Sequence, residues 1–187
     1  LGVTTINCTA SSVLGNEFDT TCEFDIEILD ETKPICLPKN AEVFLDALGF
    51  TTFSPQLIDG GSTDNCGEIA LSILGQQTFT CTEVGNQIKT LIVTDESNNT
   101  TTCQATIIVR DTIRPICSGI KLNKNIGDNG SATISASELN NNSTDNCGNI
   151  TFTASKTIFN CSDVLTTNLV TLTVTDQSGN SASCPVE

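Results

Sequence analysis

Ten cysteines and no histidine set the chemistry open to this 187-residue chain. A thiol can close a disulfide, bind a soft metal or act as a nucleophile, and spacing decides among these. No Cys-x-x-Cys pair occurs, and without imidazole the common zinc sets and the Ser-His-Asp and Cys-His nucleophiles are unavailable. An even number of cysteines at this density fits an oxidising compartment and a disulfide framework. Carboxylates form the second reactive set, with 22 Asp and Glu against 8 Lys and Arg and a formal net charge of -14. Such hard oxygen donors suit calcium. Phosphate binding needs clustered cations, so nucleic acid is excluded as a partner. Paired carboxylates can hydrolyse glycosides, but these acids recur in copies whereas a catalytic pocket is built once, so no enzyme is expected.

The reactive residues fall in register. Asp30-Glu31-Thr32-Lys33-Pro34-Ile35-Cys36 returns 81 residues later as Asp111-Thr112-Ile113-Arg114-Pro115-Ile116-Cys117. Ser62-Thr63-Asp64-Asn65-Cys66-Gly67 returns unchanged at 143–148, and Val93-Thr94-Asp95 returns as Val174-Thr175-Asp176. Cys161 follows Cys81 by 80 residues, Cys184 follows Cys103 by 81, and Cys22 precedes Cys103 by 81. A fixed period of this kind marks tandem structural repeats. The frame assigns 1–31 to the C-terminal part of a preceding repeat and 32–112 to a complete one. Residues 113–187 then form a repeat truncated before its last strand is complete, and both ends are expected to be cuts through a longer array.

The elements that must position these residues are strands. Ala105, Ile107 and Val109 alternate with Thr106 and Ile108, and Leu91 and Val93 alternate with Ile92 and Thr94. Val43 and Leu45 alternate likewise, although Lys124 stands where Val43 would recur. Turn clusters such as Asp59-Gly60-Gly61 and Asn140-Asn141-Asn142 separate these runs, the pattern of a β-sandwich. Gly49 and Gly130 fall at equivalent hairpin positions. No amphipathic helix is supported. No apolar run reaches the roughly 18 residues that cross a bilayer, so membrane insertion is not expected. Leu1-Gly2-Val3 is no signal peptide, so an export signal is expected elsewhere in a longer precursor.

A sandwich of this size with eight Phe as its only aromatics has a thin core and needs staples. Four cysteines per repeat allow three connectivities. The preferred wiring is self-contained: Cys66–Cys81 and Cys147–Cys161, closing loops that contribute about 3 kcal/mol each. Cys36–Cys103 and Cys117–Cys184 then tie first strand to last, and Cys8 pairs with Cys22.

These motifs resemble the hyalin repeat. The likeness rests on the Asp-x-x-x-Pro-Ile-Cys entry, the Ser-Thr-Asp-Asn-Cys-Gly turn and the exit from Val174 to Cys184, and it covers essentially the whole chain. The variant looks most like repeats of long surface proteins of gliding and biofilm-forming bacteria that use type IX secretion. That resemblance implies tandem immunoglobulin-like sandwiches and a role in adhesion. Residues 8–22 look like a form with an extra cysteine, and Asn98-Asn99 replaces Gly-Asn in one exit motif. The bacterial likeness also implies O-glycans at Asp-Ser/Thr junctions, making Thr112 the first candidate and Thr20 the second.

No cofactor is required on this reading, and calcium is the one candidate. Its ligands would come from Asp64 and Asp95 and their counterparts Asp145 and Asp176, read as turns at opposite ends of strands, with Asp30 or Asp111 at the repeat junction. Short turns rich in Asp and Asn also form without any ion, through their own backbone hydrogen bonds. The expected function is a stalk or filament of a secreted or cell-surface adhesin, spacing its binding regions. The alternative is repeats that themselves grip a glycan or protein, although such sites favour exposed aromatics and Arg, and only Arg110 and Arg114 are present. Neighbouring repeats of the same longer chain are the expected partners, with lateral self-association and an unidentified surface ligand beyond them.

Overall fold

The computed structural model describes residues 3–10 and 20–187. Its strands are β1 (Val3–Ala10), β2 (Thr20–Glu27), β3 (Ala41–Phe44), β4 (Phe50–Thr52), β5 (Ile69–Ile73), β6 (Thr78–Thr80) and β7 (Gly85–Asp95). There follow β8 (Thr100–Arg110), β9 (Ser131–Thr133), β10 (Thr151–Ala154), β11 (Ile158–Asn160), β12 (Val170–Thr175) and β13 (Ser181–Val186). The chain is all-β, an immunoglobulin-like sandwich architecture stapled by disulfides; the helical elements among the described residues are short 3-10 turns. Three of these turns, after Thr80, Ser135 and Asn160, carry an acid three residues beyond the cap that reaches back to the cap backbone.

The chain divides into two compact units. The first comprises Leu1–Lys39, Pro55–Leu74 and Lys89–Ala105, and the second Asn40–Ser54, Gly75–Ile88 and Thr106–Glu187. These units do not follow the sequence repeats.

In the first unit β1 pairs antiparallel with β2, and β5 pairs antiparallel with the later part of β7, Ile69 opposite Asp95. Cys36–Cys103 closes it as expected. In the second unit β3 runs parallel to the end of β8, and β4 pairs with β6. Its larger part is a sandwich in which β9 and β11 form one sheet and β10, β12 and β13 the other. Ile134, Leu139, Val170, Leu172, Val174 and Val186 fill the space between, with Phe152, Phe159 and the Cys117–Cys184 bridge packed against them. Burial follows the alternation in the sequence: Leu91, Val93, Ala105, Ile107 and Val109 are buried, and Thr106 and Ile108 less so.

Gly49 and Gly130 close hairpins with φ of 78° and 72°, as the turns require. Their N–H groups donate to Asp46 and Gly127 at 3.0 and 2.9 Å. One strand predicted by alternation is missing its echo. Val43 sits on β3, which pairs with β8, whereas 122–125, the stretch holding Lys124, is no strand. There Leu122 N–H donates to Glu187 O at 3.0 Å, and a cavity of about 660 Å3 opens beside Leu122, Ile134, Phe159 and Val186.

Candidate metal centres and the junction disulfide

Antiparallel pairing decides where the acids go. Because β5 runs against β7, the turn before β5 and the end of β7 meet at the same end of the sheet. Asp64 and Asp95 therefore converge, correcting the expectation that they lie at opposite ends. Carboxylate oxygens of Asp30, Asp64 and Asp95 lie within 4.8 Å of one another. In the second unit Asp111, Asp145 and the sulfur of Cys147 form the equivalent group within 4.8 Å. Asp176, the counterpart of Asp95, is close enough for its charge to act on Asp145.

Each group splits into held and unpaired atoms. Asp95 accepts the Asn99 backbone and side-chain N–H groups, both at 2.8 Å, and Asn99 Nδ2 also donates to Asp30 O at 3.0 Å. Asp176 and Asn180 repeat this at 2.8 and 2.8 Å, with Asn180 Nδ2 donating to Asp111 O at 3.1 Å. Asp64 and Asp145 each accept the backbone N–H two residues on, at 2.8 and 2.9 Å. Against these, Asp30 Oδ2, Asp64 Oδ1, Asp111 Oδ2, Asp145 Oδ1 and Asn146 Oδ1 are buried without a hydrogen-bond partner. Buried polar atoms are normally satisfied, and an unpaired buried carboxylate oxygen is costly. Asp111, only 6% exposed, is the most enclosed of these unpaired groups.

Electrostatics agree. Burial, followed by the negative charges of Asp111 and Asp176, lifts the Asp145 carboxyl above its ordinary range, against the opposing pull of the Cys147 and Asn146 backbone donors. The ion pairs Arg110–Glu42, Lys124–Glu138 and Lys156–Asp163 lie elsewhere. The donor set is oxygen, because Cys147 is tied up as a disulfide. Carboxylate and amide oxygens of this kind fit a hard divalent cation such as calcium. The residues to hold it would be Asp111, Asp145 and Asn146 in the second unit, and Asp30 and Asp64 beside Asp95 in the first.

The disulfide is the largest departure from the sequence expectation. Cys36–Cys103 and Cys117–Cys184 form, but Cys66–Cys81 and Cys147–Cys161 do not: Cys81 bonds Cys147, and Cys66 and Cys161 are exposed thiols. The third repeat shows why. Cys147 sits in the turn leading into β10, whose Thr151 lies opposite Thr175 at the far end of β12. Cys161 follows β11 at the other end, its sulfur 3.7 Å from Gly130 O in the hairpin before β9. The two cysteines of one repeat thus stand at opposite ends of a sandwich. Cys81 occupies the same setting as Cys161, 3.5 Å from Gly49 O, and meets the next repeat's turn there. Asn146 joins the contact, its Nδ2 donating to Asp46 O at 3.2 Å and Asp111 Oδ1 at 3.3 Å. Sequence reasoning placed the hairpin at Gly49 but missed that Asn146 of the next repeat's turn meets it.

Cys8 and Cys22 lie directly opposite on β1 and β2 but are thiols, so the register of the expected pair is present and its bond is not. The structure offers no physical reason for that. Thr112 is exposed at the junction beside Asp111, accessible as a glycosylation candidate must be. Asp19 and the side chain of Thr20, the second candidate, lie outside the described residues.

No protein-family model matches the chain, and no curated protein does. Among solved structures it is similar to the first three extracellular domains of protocadherin gamma C5, at 14% identity over 98% of this chain and 76% of that one, with a TM-score of 0.40. Protocadherin gamma B7 domains 1–4 align at 16% identity over 99% of this chain and 57% of that one, TM-score 0.37. An endo-fucoidan hydrolase from glycoside hydrolase family 107 aligns at 14% identity and TM-score 0.36, and this chain spans 33% of its length. Likeness at this level assigns no activity and no partner.

Proposed function

We propose that the chain is a run of structural stalk repeats from a large secreted or cell-surface adhesin, spacing binding regions away from the surface. The observation that carries this is the Cys81–Cys147 bridge, which joins one sequence repeat to the next by a covalent bond rather than by the linker alone. A module built to bind or catalyse independently has no use for a bond that fixes it to its neighbour. The wiring suits load. From Cys36 a pull crosses to Cys103, runs through residues 104–116, and crosses from Cys117 to Cys184, so few residues can pay out. The charge of -14 keeps neighbouring chains apart, and the resemblance to hyalin repeats of bacterial surface proteins, with type IX secretion as the export route, supports the same reading.

Calcium belongs to this proposal. Bound at the acidic groups, it would supply positive charge where carboxylates converge, and Asp111 and Asp145 would hold it across the repeat boundary. Thr112 is the position for an O-glycan.

Single-molecule pulling through the chain ends tests the stalk. The oxidised chain should give a small fraction of the extension that it gives after reduction. Equal extension in both states, or retention of the isolated chain on a glycan array or on cells, would overturn the stalk in favour of a binding module.

A further inference from the structure

Cys66 and Cys161 are unbonded, exposed, and equivalent to the two halves of a bond that does form. Cys66 lies in the turn Asp64-Asn65-Cys66-Gly67, identical in sequence to the turn that carries Cys147. The two turns share geometry as well. Asp64 and Asp145 accept the cysteine N–H at 2.8 and 2.9 Å, and each asparagine Nδ2 lies against the sulfur that follows it, at 3.1 and 3.6 Å. Cys161 matches Cys81: both open a 3-10 turn after a three-residue strand, and both sulfurs rest on the carbonyl of a hairpin glycine. Around the bonded pair, a hairpin of one repeat (46–49) abuts the turn of the next, down to Asn146 Nδ2 on Asp46 O. The hairpin 127–130 carries the same Gly130 N–H to Gly127 O bond and stands beside Cys161.

We propose that Cys66 and Cys161 are the acceptor and donor of a serial disulfide register. In it, the Cys81-type thiol of every repeat bonds the Cys66-type thiol of the repeat that follows it in the same chain. Cys66 then takes the Cys81-type thiol of a preceding repeat, and Cys161 the turn cysteine of a following one. Each bond removes two protons and two electrons from two thiols. A disulfide oxidant of the glutathione class accepts both and leaves as two thiols. Because it presupposes serially joined repeats, the register rests on the stalk reading.

The test inserts a second copy of residues 32–112, mass-tagged by the exposed changes Q56N and Q77N, directly after residue 112 of the full chain. Folding in a glutathione redox buffer is followed by cleavage after Glu, which separates Cys66 from Cys81 and tells each copy's peptides apart. Alkylation without reduction and peptide mapping then read the wiring. The register requires the original Cys81 to bond the inserted copy's Cys66, and the inserted copy's Cys81 to bond Cys147. The original Cys66 and Cys161 then remain the alkylated ends, their number unchanged by the added repeat. The Cys36–Cys103 peptide reports that the copies have folded. Alkylation of the inserted turn cysteine in a chain that holds both Cys36–Cys103 bridges would overturn the register, and so would a bridge within one repeat between its Cys66-type and Cys81-type residues. Loss of Cys81–Cys147 from the unmodified chain would instead remove the stalk reading itself, so the two failures are distinguishable.

Discussion

The two acidic groups are built from the same positions by the same bonds, yet only one is closed. At both, a buried Asp accepts two N–H groups from an Asn four residues on, and that Asn donates to the carbonyl of the junction Asp. Both leave the junction and turn carboxylates with a buried unpaired oxygen. What differs is Cys147, bonded to Cys81 with Asn146 on the Asp46 carbonyl, against Cys66, exposed with Asn65. The acidic site is therefore set by each repeat's own turns and the Asp at its entry. The disulfide is a separate device that a neighbouring repeat adds.

The largest effect should come from erasing that difference. Cys81–Cys147 encloses a separation of 66 residues, which in the chain-entropy model is worth about 4 kcal/mol. C81S/C147S should lower the denaturant midpoint of the second unit accordingly while leaving Cys36–Cys103 and Cys117–Cys184 intact by peptide mapping. If the acidic site is self-built, calcium should still bind this variant. Loss of calcium binding along with the bridge would break the separation between the two devices.

Calcium comes next in size. At a concentration of about 100 times its Kd, a ligand of the folded state adds about 2.7 kcal/mol. D111N and D145N should each abolish that gain at the second junction and leave the first responsive, as read by calorimetry with calcium and with chelator. The pH dependence has a definite sign. Asp145 has a raised folded pKa, so without cation its contribution is full below its unfolded value of 3.8 and is lost as pH rises through the folded one. Calcium needs the ionised form. The melting-temperature increment between calcium and chelator should therefore be large at neutral pH and shrink towards about pH 4. An increment independent of pH would place the cation elsewhere.

Much of this was legible in the residues. The period carries most strands and turns from one repeat to the next, the stretch 122–125 excepted, and alternation identifies Leu91, Val93, Ile107 and Val109 as core. Cys36–Cys103 and Cys117–Cys184 follow from tying the entry motif to the exit strand. The third bridge was hidden because loop entropy, judged along the sequence, favours pairing within a repeat, whereas the sandwich of the third repeat puts Cys147 and Cys161 at opposite ends. In a translational array the nearest partner can lie in the next copy. The only sequence hint was the shortness of Asp111-Thr112-Ile113-Arg114, which forces successive repeats to abut. Convergence of Asp64 with Asp95 was missed for a related reason: it depends on which strands pair, and periodicity alone does not say.

Two glycines give the finest comparison of a closed junction with an open end. Gly49 and Gly130 both have positive φ, so alanine at either costs about 1 kcal/mol through backbone strain. Their surroundings differ. A Cβ on Gly49 would stand 2.7 Å from Cys81 Sγ and 2.9 Å from Asn146 O, a backbone atom of the next repeat that is held by the bridge. On Gly130 it would meet only Cys161 Sγ, at an ordinary 3.6 Å. G49A should therefore destabilise the chain more than G130A, and the excess should shrink in the C81S/C147S background, where Asn146 is free to move away. Equal losses in the bridged chain would mean that the 46–49 hairpin and the Asn146 turn do not touch in solution, and the closed junction would then be held by its sulfur bond alone.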